Sequence, residues 1–146
     1  MTAETADRPM HGLKGERVLM RIHIGERDKC AGRPLYEAIV ELLRSRHYAG
    51  ATVFRAVMGF GATARLRTDR IEVLSLDLPV VIECVDTEEK ITAILPEIDR
   101  MIEGGLITLE RAKVIMYRAN LPAERRTESW QMDMTGLWDS DPSGNG

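Results

Sequence analysis

The 146-residue chain is poor in cysteine, histidine and aromatic residues: two, three and 5%, respectively. Cys30 and Cys84 stand far apart and form no Cys-x-x-Cys pair, so the chain carries neither a clustered thiolate site nor a dithiol redox motif. They read as reduced thiols of a cytoplasmic protein, with a disulfide left open by sequence alone. Charge of one sign is also missing. Twenty basic against 23 acidic residues, net −3, carry no bulk signature of nucleic-acid binding. No run reaches the ~18 apolar residues of a membrane helix. The opening "MTAETADRPMHGLKGE" has no apolar centre of the kind a secretory leader needs. What remains is length for one domain with tails, enough to bury a core without covalent staples.

The polar, glycine- and proline-containing residues 1–15 read as a disordered tail, and residues 119–146 as a polar C-terminal tail around a domain at 16–118. In "RVLMRIHI", Val18, Met20, Ile22 and Ile24 alternate with Leu19, Arg21 and His23, the period of a half-buried strand. "GERDKCAGR" reads as a polar loop. Pro34 then opens a helix in which Leu35, Ala38, Ile39, Leu42 and Leu43 form one apolar stripe, ending near His47 with Gly50 as the break. His47 reads as a helix-end cation or polar cap.

"ATVFRAVMGF" (51–60) is dense in β-branched and aromatic residues and predicts a second strand. "IEVLSLDL" suggests a short strand, and "PVVIECV" a central one with Pro79 at its start, where no ladder donor is needed. Cys84 reads there as a small core residue. Asp86 and Glu89 make a capping-box pattern for a helix with an apolar stripe at Ile91, Ile94, Leu95, Ile98, Met101 and Ile102. Pro96 predicts a kink or a short first turn, and Gly104-Gly105 ends the helix. In "LITLERAKVIMYR" the apolar parity switches at Glu110-Arg111, which predicts a bulge.

Strand, helix, strand, repeated once, folds most economically as a ferredoxin-like βαββαβ sandwich. Two helices cover one face of an antiparallel sheet, with the first and third strands central. The opposite face carries Leu19, Val53, Val57 and Ile115. A single copy leaves it wet, so an oligomer that covers it is expected. "GFGATARLRTDR" (59–70) is longer than a bare turn and carries Arg65, Arg67 and Arg70. Connections of this length are often functional.

"GERDKCAGRPLYEAIVELLRSRHYAGATVFRAVMGFG", "LSLDLPVVIECVDTEEKI" and "LPEIDRMIEGGLIT" together resemble the short bacterial PII-like proteins catalogued as a domain of unknown function, in the ferredoxin-like PII/CutA superfamily. The resemblance covers roughly residues 16 to 118. It implies a PII-type homotrimer whose three sheets line the interior, and a non-enzymatic signalling role without cofactor or metal. A small phosphorylated effector, an adenine nucleotide in the first instance, binds between subunits. A mobile loop after the second strand reports it to a membrane transporter or an enzyme. Gly59, Phe60 and Gly61 are similar to the phrase at the base of that loop, with Arg65 and Arg67 within it. Gly104 and Gly105 stand at the ligand-facing turn before the last strand, and Lys113 and Arg118 where the last strand supplies basic residues to the neighbouring cleft. Leu106 departs from the pattern, standing where PII proteins place a phosphate-facing lysine.

Physics supports an anion site at such glycines, because bare backbone N–H groups approach a ligand closely and arginine adds bidentate phosphate contacts. The same residues also have structural readings. Gly59 and Gly61 suit a strand end and turn, Gly104-Gly105 a helix stop, and the arginines a solvated loop. Two rival functions remain. One is a phosphate-compound hydrolase drawing on Glu26, Asp77 and Glu83; the other is a CutA-like metal-binding or scaffolding trimer, tested at His23 and Cys30. The His23, Glu26, Asp28, Cys30 grouping reads otherwise as a loop beside one interfacial histidine. Trp130 and Trp138 read as folding back on the domain or anchoring a partner.

Overall fold

Alternation sets the first strand in the computed structural model, which describes residues 13–61, 67–68 and 78–117. β1 (Gly15–Gly25) buries Met20, Ile22 and Ile24 and turns Leu19, Arg21 and His23 to the other face. The following loop contains a small hairpin, β2 (Lys29–Cys30) with β3 (Arg33–Pro34). Its two linking residues, Ala31 and Gly32, both have positive φ, 49° and 80°, the combination that matches a two-residue hairpin turn to strand twist. α1 (Leu35–Ser45) buries Leu35, Ile39 and Leu43. Pro34 is its N-cap rather than its first helical residue. The stop comes earlier than Gly50: His47 adopts φ 62°, and its carbonyl accepts from Lys90 Nζ at 2.6 Å.

The strand expected over 51–60 divides. β4 (Thr52–Arg55) lies in the main sheet, while β5 (Met58–Gly59) turns away to pair with β6 (Arg67–Thr68). Propensity marks both pieces as extended but does not say which partner each takes. β7 (Pro79–Asp86) alternates buried and half-buried over its whole length, as expected of the run behind Pro79. α2 (Glu88–Met101) continues as one span through Pro96, so no short first turn is set apart. Its cap is Thr87, whose hydroxyl accepts from Lys90 N at 3.3 Å. The expected Asp86–Glu89 capping box does not form, because Asp86 ends β7 and its carboxylate is used elsewhere. β8 (Leu106–Val114) pairs with β1 in unbroken register from Leu106↔His23 to Val114↔Gly15. There is no bulge: the parity switch records apolar residues passing from one face of an edge strand to the other.

The main sheet has the order β4-β7-β1-β8, with every neighbouring pair antiparallel. An α+β unit with β1 and β7 central is consistent with the ferredoxin-like expectation. Both helices pack on one face, where Ile39, Leu43, Ile91, Ile94 and Ile98 meet Met20, Ile22, Val80, Ile82 and Cys84. Each large aliphatic side chain buried there contributes about 2 kcal/mol. Burial, and secondarily Asp86, push the Cys84 thiol from 9.0 to about 12. Val53 is opposite Ile82 and so belongs to the helix-covered side, contrary to the expected open-face set; Val57 and Ile115 lie outside the main strands. No described helix is long and apolar enough to cross a membrane. The expectations for both tails, the strand over 71–78 apart from Leu78, Arg65, Arg70, Arg118, Trp130 and Trp138 lie outside the described residues.

Candidate functional site

Strand direction sorts the nominated residues by end. β1 and β4 run one way, β7 and β8 the other. The C-termini of β1 and β4 therefore share an end with the N-termini of β7 and β8. Gly59, Phe60, Gly61, Gly104 and Gly105 all follow or precede strands at that end. Within one copy they occupy opposite edges of the sheet, three strand spacings or about 14 Å apart. Lys113 lies near the far end of β8, opposite Glu16, about 24 Å along the strand from Leu106. Arg67 pairs through its backbone with Gly59. One chain thus brings two glycine corners to the same end without joining them, and places Lys113 elsewhere.

The glycines differ in kind. A Cβ on Gly105 would stand 2.6 Å from the His23 carbonyl oxygen, and one on Gly59 3.0 Å from Pro79 Cγ. Both are packing glycines, with β1 and Pro79 pressed against their backbone. Among the described residues, Gly61 and Gly104 have no heavy atom within 4 Å of that position, leaving their backbone open there to an incoming group. Phe60, between Gly59 and Gly61, is 71% exposed. The same end is tied by Glu26 N donating to the Leu78 carbonyl, Ala56 N to that of Pro79, both at 2.8 Å, and by the Arg55–Glu26 ion pair.

The face away from the helices is ordered in rows. Phe54, Val81, His23 and Leu106 lie side by side across the four strands; Thr52, Glu83, Arg21 and Thr108 form the next row. Arg21 donates from Nε to Glu83 and from Nη1 to Glu110, each at 2.8 Å, and these hydrogen bonds raise its pKa. An arginine bridging two carboxylates has its charge met within the face by two charge-assisted hydrogen bonds. Sequence reasoning placed Arg21 on this side but had no register from which to see the bridge.

The opposite end is built differently. The buried Asp86 carboxylate accepts from Ala49 N and Thr87 N, both at 2.8 Å. Lys90 Nζ lies 3.4 Å from it and 4.4 Å from the Tyr48 ring centroid. The Tyr48 hydroxyl donates to the Lys90 carbonyl, and burial followed by Asp86 raises its pKa. Tyr117 donates to the Ala49 carbonyl at 2.9 Å. Two depressions of about 260 and 300 Å³ flank the helices, one between the α2 N-terminus and β8, the other beside Tyr48 and Gly50. Neither includes a nominated glycine.

Residues 17–114 match the DUF190 family, described as uncharacterized ACR. The chain belongs to the DUF190 family. It is 43% identical over 97 residues to a UPF0166 protein of Aquifex aeolicus, covering 66% of this chain and 91% of that one. A UPF0166 protein of Methanocaldococcus jannaschii is 38% identical over 92 residues, 62% of this chain and 84% of the relative.

For this DUF190 chain the rival sites do not converge among the described residues. Glu26 is paired with Arg55 at one end, whereas Glu83 is engaged by Arg21 on the open face; Asp77 lies outside the described residues. His23 is on the open face, whereas Cys30 packs against the helix-side core. No group of three His, Cys, Asp or Glu residues suited to a metal occurs among the described residues. The features that sequence reasoning missed are the Asp86 latch and the exposed side chains of Phe54 and Leu106, 50% and 56% accessible. The expected face for Val53 implied the wrong side for its neighbour Phe54, and no local pattern shows that each stands on an outermost strand.

Proposed function

We propose that this DUF190 protein is a PII-like regulatory protein, assembled as a homotrimer with the open sheet faces inward. It binds a small phosphorylated effector, an adenine nucleotide in the first instance, in crevices between copies. The observation that carries the reading is the pair of open glycine backbones, Gly61 and Gly104, at one end of the sheet. Amides without side-chain cover suit an anion. Gly61 begins the connection that returns as β6, so an effector held at Gly61 bears directly on the 59–70 loop. Binding needs only to favour one arrangement of that loop to become a signal, read by a transporter or an enzyme.

The sheet rows support the inward-facing assembly. The row Phe54, Val81, His23, Leu106 is largely apolar, and the charge of Arg21 is met within the face by Glu83 and Glu110, which lowers the cost of covering it. Isothermal calorimetry of the assembled protein against adenine nucleotides and cyclic dinucleotides tests the ligand class. Saturable heat that Gly104→Glu abolishes is the expected result; absence of binding by the whole panel removes the nucleotide reading.

A further inference from the structure

We propose that the tryptophan-bearing C-terminal segment folds back onto its own domain and seats Trp130 in the groove between α1 and the connection into β4. The inference is independent of the effector and assembly readings, because the groove lies beside Ala49 at the Asp86 end, away from the glycine corners. Packing of α1 leaves this groove. Leu43 and Tyr48 enter the core, and the depression of about 300 Å³ beside them has Val40 and Ala51 as half-buried walls. Gly50 adds no side chain to close it, and a Cβ there would meet nothing within 4 Å among the described residues. Val53, two residues beyond Ala51 and of the same parity, is 39% exposed although it lies on the helix-covered side. The helices therefore cover this flank of β4 only in part, and an apolar strip runs on from the groove. Apolar ground of this kind marks a contact surface.

The course of the chain names the occupant. β8 stands at one outer position of the sheet and β4 at the other. Yet Tyr117, three residues past β8, donates to the Ala49 carbonyl at 2.9 Å, and Ala49 lines the groove. The described chain thus ends tied to the groove's own wall. From there residues 118–129 span about 40 Å when extended, against about 17 Å for the whole of α1. Trp130 reaches the groove without leaving its own copy, and it closes a shorter loop than Trp138 does. A segment tethered so close occupies the groove ahead of the same segment from a second copy. It also lies beyond residue 114, where the family match stops, so the contact is particular to this chain.

Residue type and charge agree with that course. Both tryptophans of the chain stand in this segment with Met132, Met134 and Leu137 between them, and residues 127–146 hold four carboxylates and no lysine or arginine. The groove offers the complement. Arg44 is the charged residue of its lining, and its side chain is 77% exposed. Glu41 accepts from Arg44 Nε at 3.1 Å and Nη2 at 3.0 Å. Such bonds lie in the guanidinium plane and leave its flat faces to stack on an indole.

Fluorescence of the full chain tests this directly, because the domain before the segment contains no tryptophan. In a Trp138→Phe parent, Trp130 is the sole tryptophan emitter. Its emission should lie to the blue of tryptophanamide and be quenched less readily by acrylamide. Gly50→Glu puts a carboxylate into the open space of the groove, and Arg44→Glu reverses the charge at its rim. Each should return emission and quenching to those of tryptophanamide while circular dichroism stays that of the parent. A parent that already emits like tryptophanamide, or shielding that survives either substitution, overturns the proposal. If Gly50→Glu unfolds the chain, Arg44→Glu, at an exposed helix position, decides it. Mixing separates the chain's own groove from a neighbour's. A protein carrying Trp130→Phe and Trp138→Phe offers intact grooves to the Gly50→Glu, Trp138→Phe chain. Emission unchanged on mixing is expected; recovered shielding would place the segment in a neighbouring copy and overturn the seat proposed.

Discussion

The two ends of the sheet differ in how far side chains close them. At one end side chains tie the backbone: Asp86 accepts from two amides, Lys90 donates to the His47 carbonyl, and Tyr48 and Tyr117 donate to further carbonyls. At the other, backbone pairs such as Glu26 to Leu78 and the contacts of Gly59 and Gly105 join two side-chain ties, Asp28 to Gly25 N and Arg55 to Glu26, and among the described residues Gly61 and Gly104 face open space. A group that must admit a ligand cannot be filled by its own side chains, while the connection opposite can be locked. On the proposed reading, the contrast gives stability to the Asp86 end and recognition to the glycine end.

Substitutions at the two ends should therefore separate these properties. The largest effect is expected from Asp86→Ala, which strands the Ala49 and Thr87 amides and leaves Lys90 without its carboxylate. Urea unfolding should show a loss of about 3 kcal/mol, with Gly61 and Gly104 unaltered as a binding surface. A smaller loss, about 2 kcal/mol, is expected for Gly105→Ala, since the new methyl meets a carbonyl of β1 that cannot move freely. Gly104→Ala, one residue away, should stay within about 0.5 kcal/mol. Equal losses at these neighbours would erase the distinction between a packing glycine and an open one.

Alkali gives a smaller effect than either Asp86→Ala or Gly105→Ala. The Cys84 thiol is raised from 9.0 to about 12 in the fold, so folding favours its neutral form. That contribution is complete below pH 9 and declines as pH rises toward 12, amounting to about 1 kcal/mol lost by pH 10. Chemical denaturation at pH 8 and 10, with Cys84→Ala as the reference, reads it; a pH-independent difference between the two proteins would contradict the burial of this thiol.

Much of the fold was legible because periodicity is local. Met20, Ile22 and Ile24 alternate as strand residues must, and Leu35, Ile39 and Leu43 recur as helix residues must. The capping box at Asp86 and Glu89 misled because the same residues satisfy the pattern whether or not the carboxylate is taken by a distant amide. Ala49 is remote in sequence, and only the fold brings it to Asp86. The bulge expected at Glu110 failed for a related reason: an edge strand can change its apolar face without changing register. The glycines were visible as candidates, but not the division of Gly59 and Gly105 from Gly61 and Gly104, which depends on Pro79 and His23 standing beside them.

By itself the amino-acid order determined the first strand, the central strand behind Pro79, the two helices with their apolar stripes and the family to which the chain belongs, since these rest on side-chain patterns within a few residues. Tertiary structure alone decided which strands lie at the edges, which glycines are packed and which are open, and where Asp86 and Arg21 find their partners. Those outcomes follow from strand order and register, which bring residues together across the sheet from separations that no local pattern records.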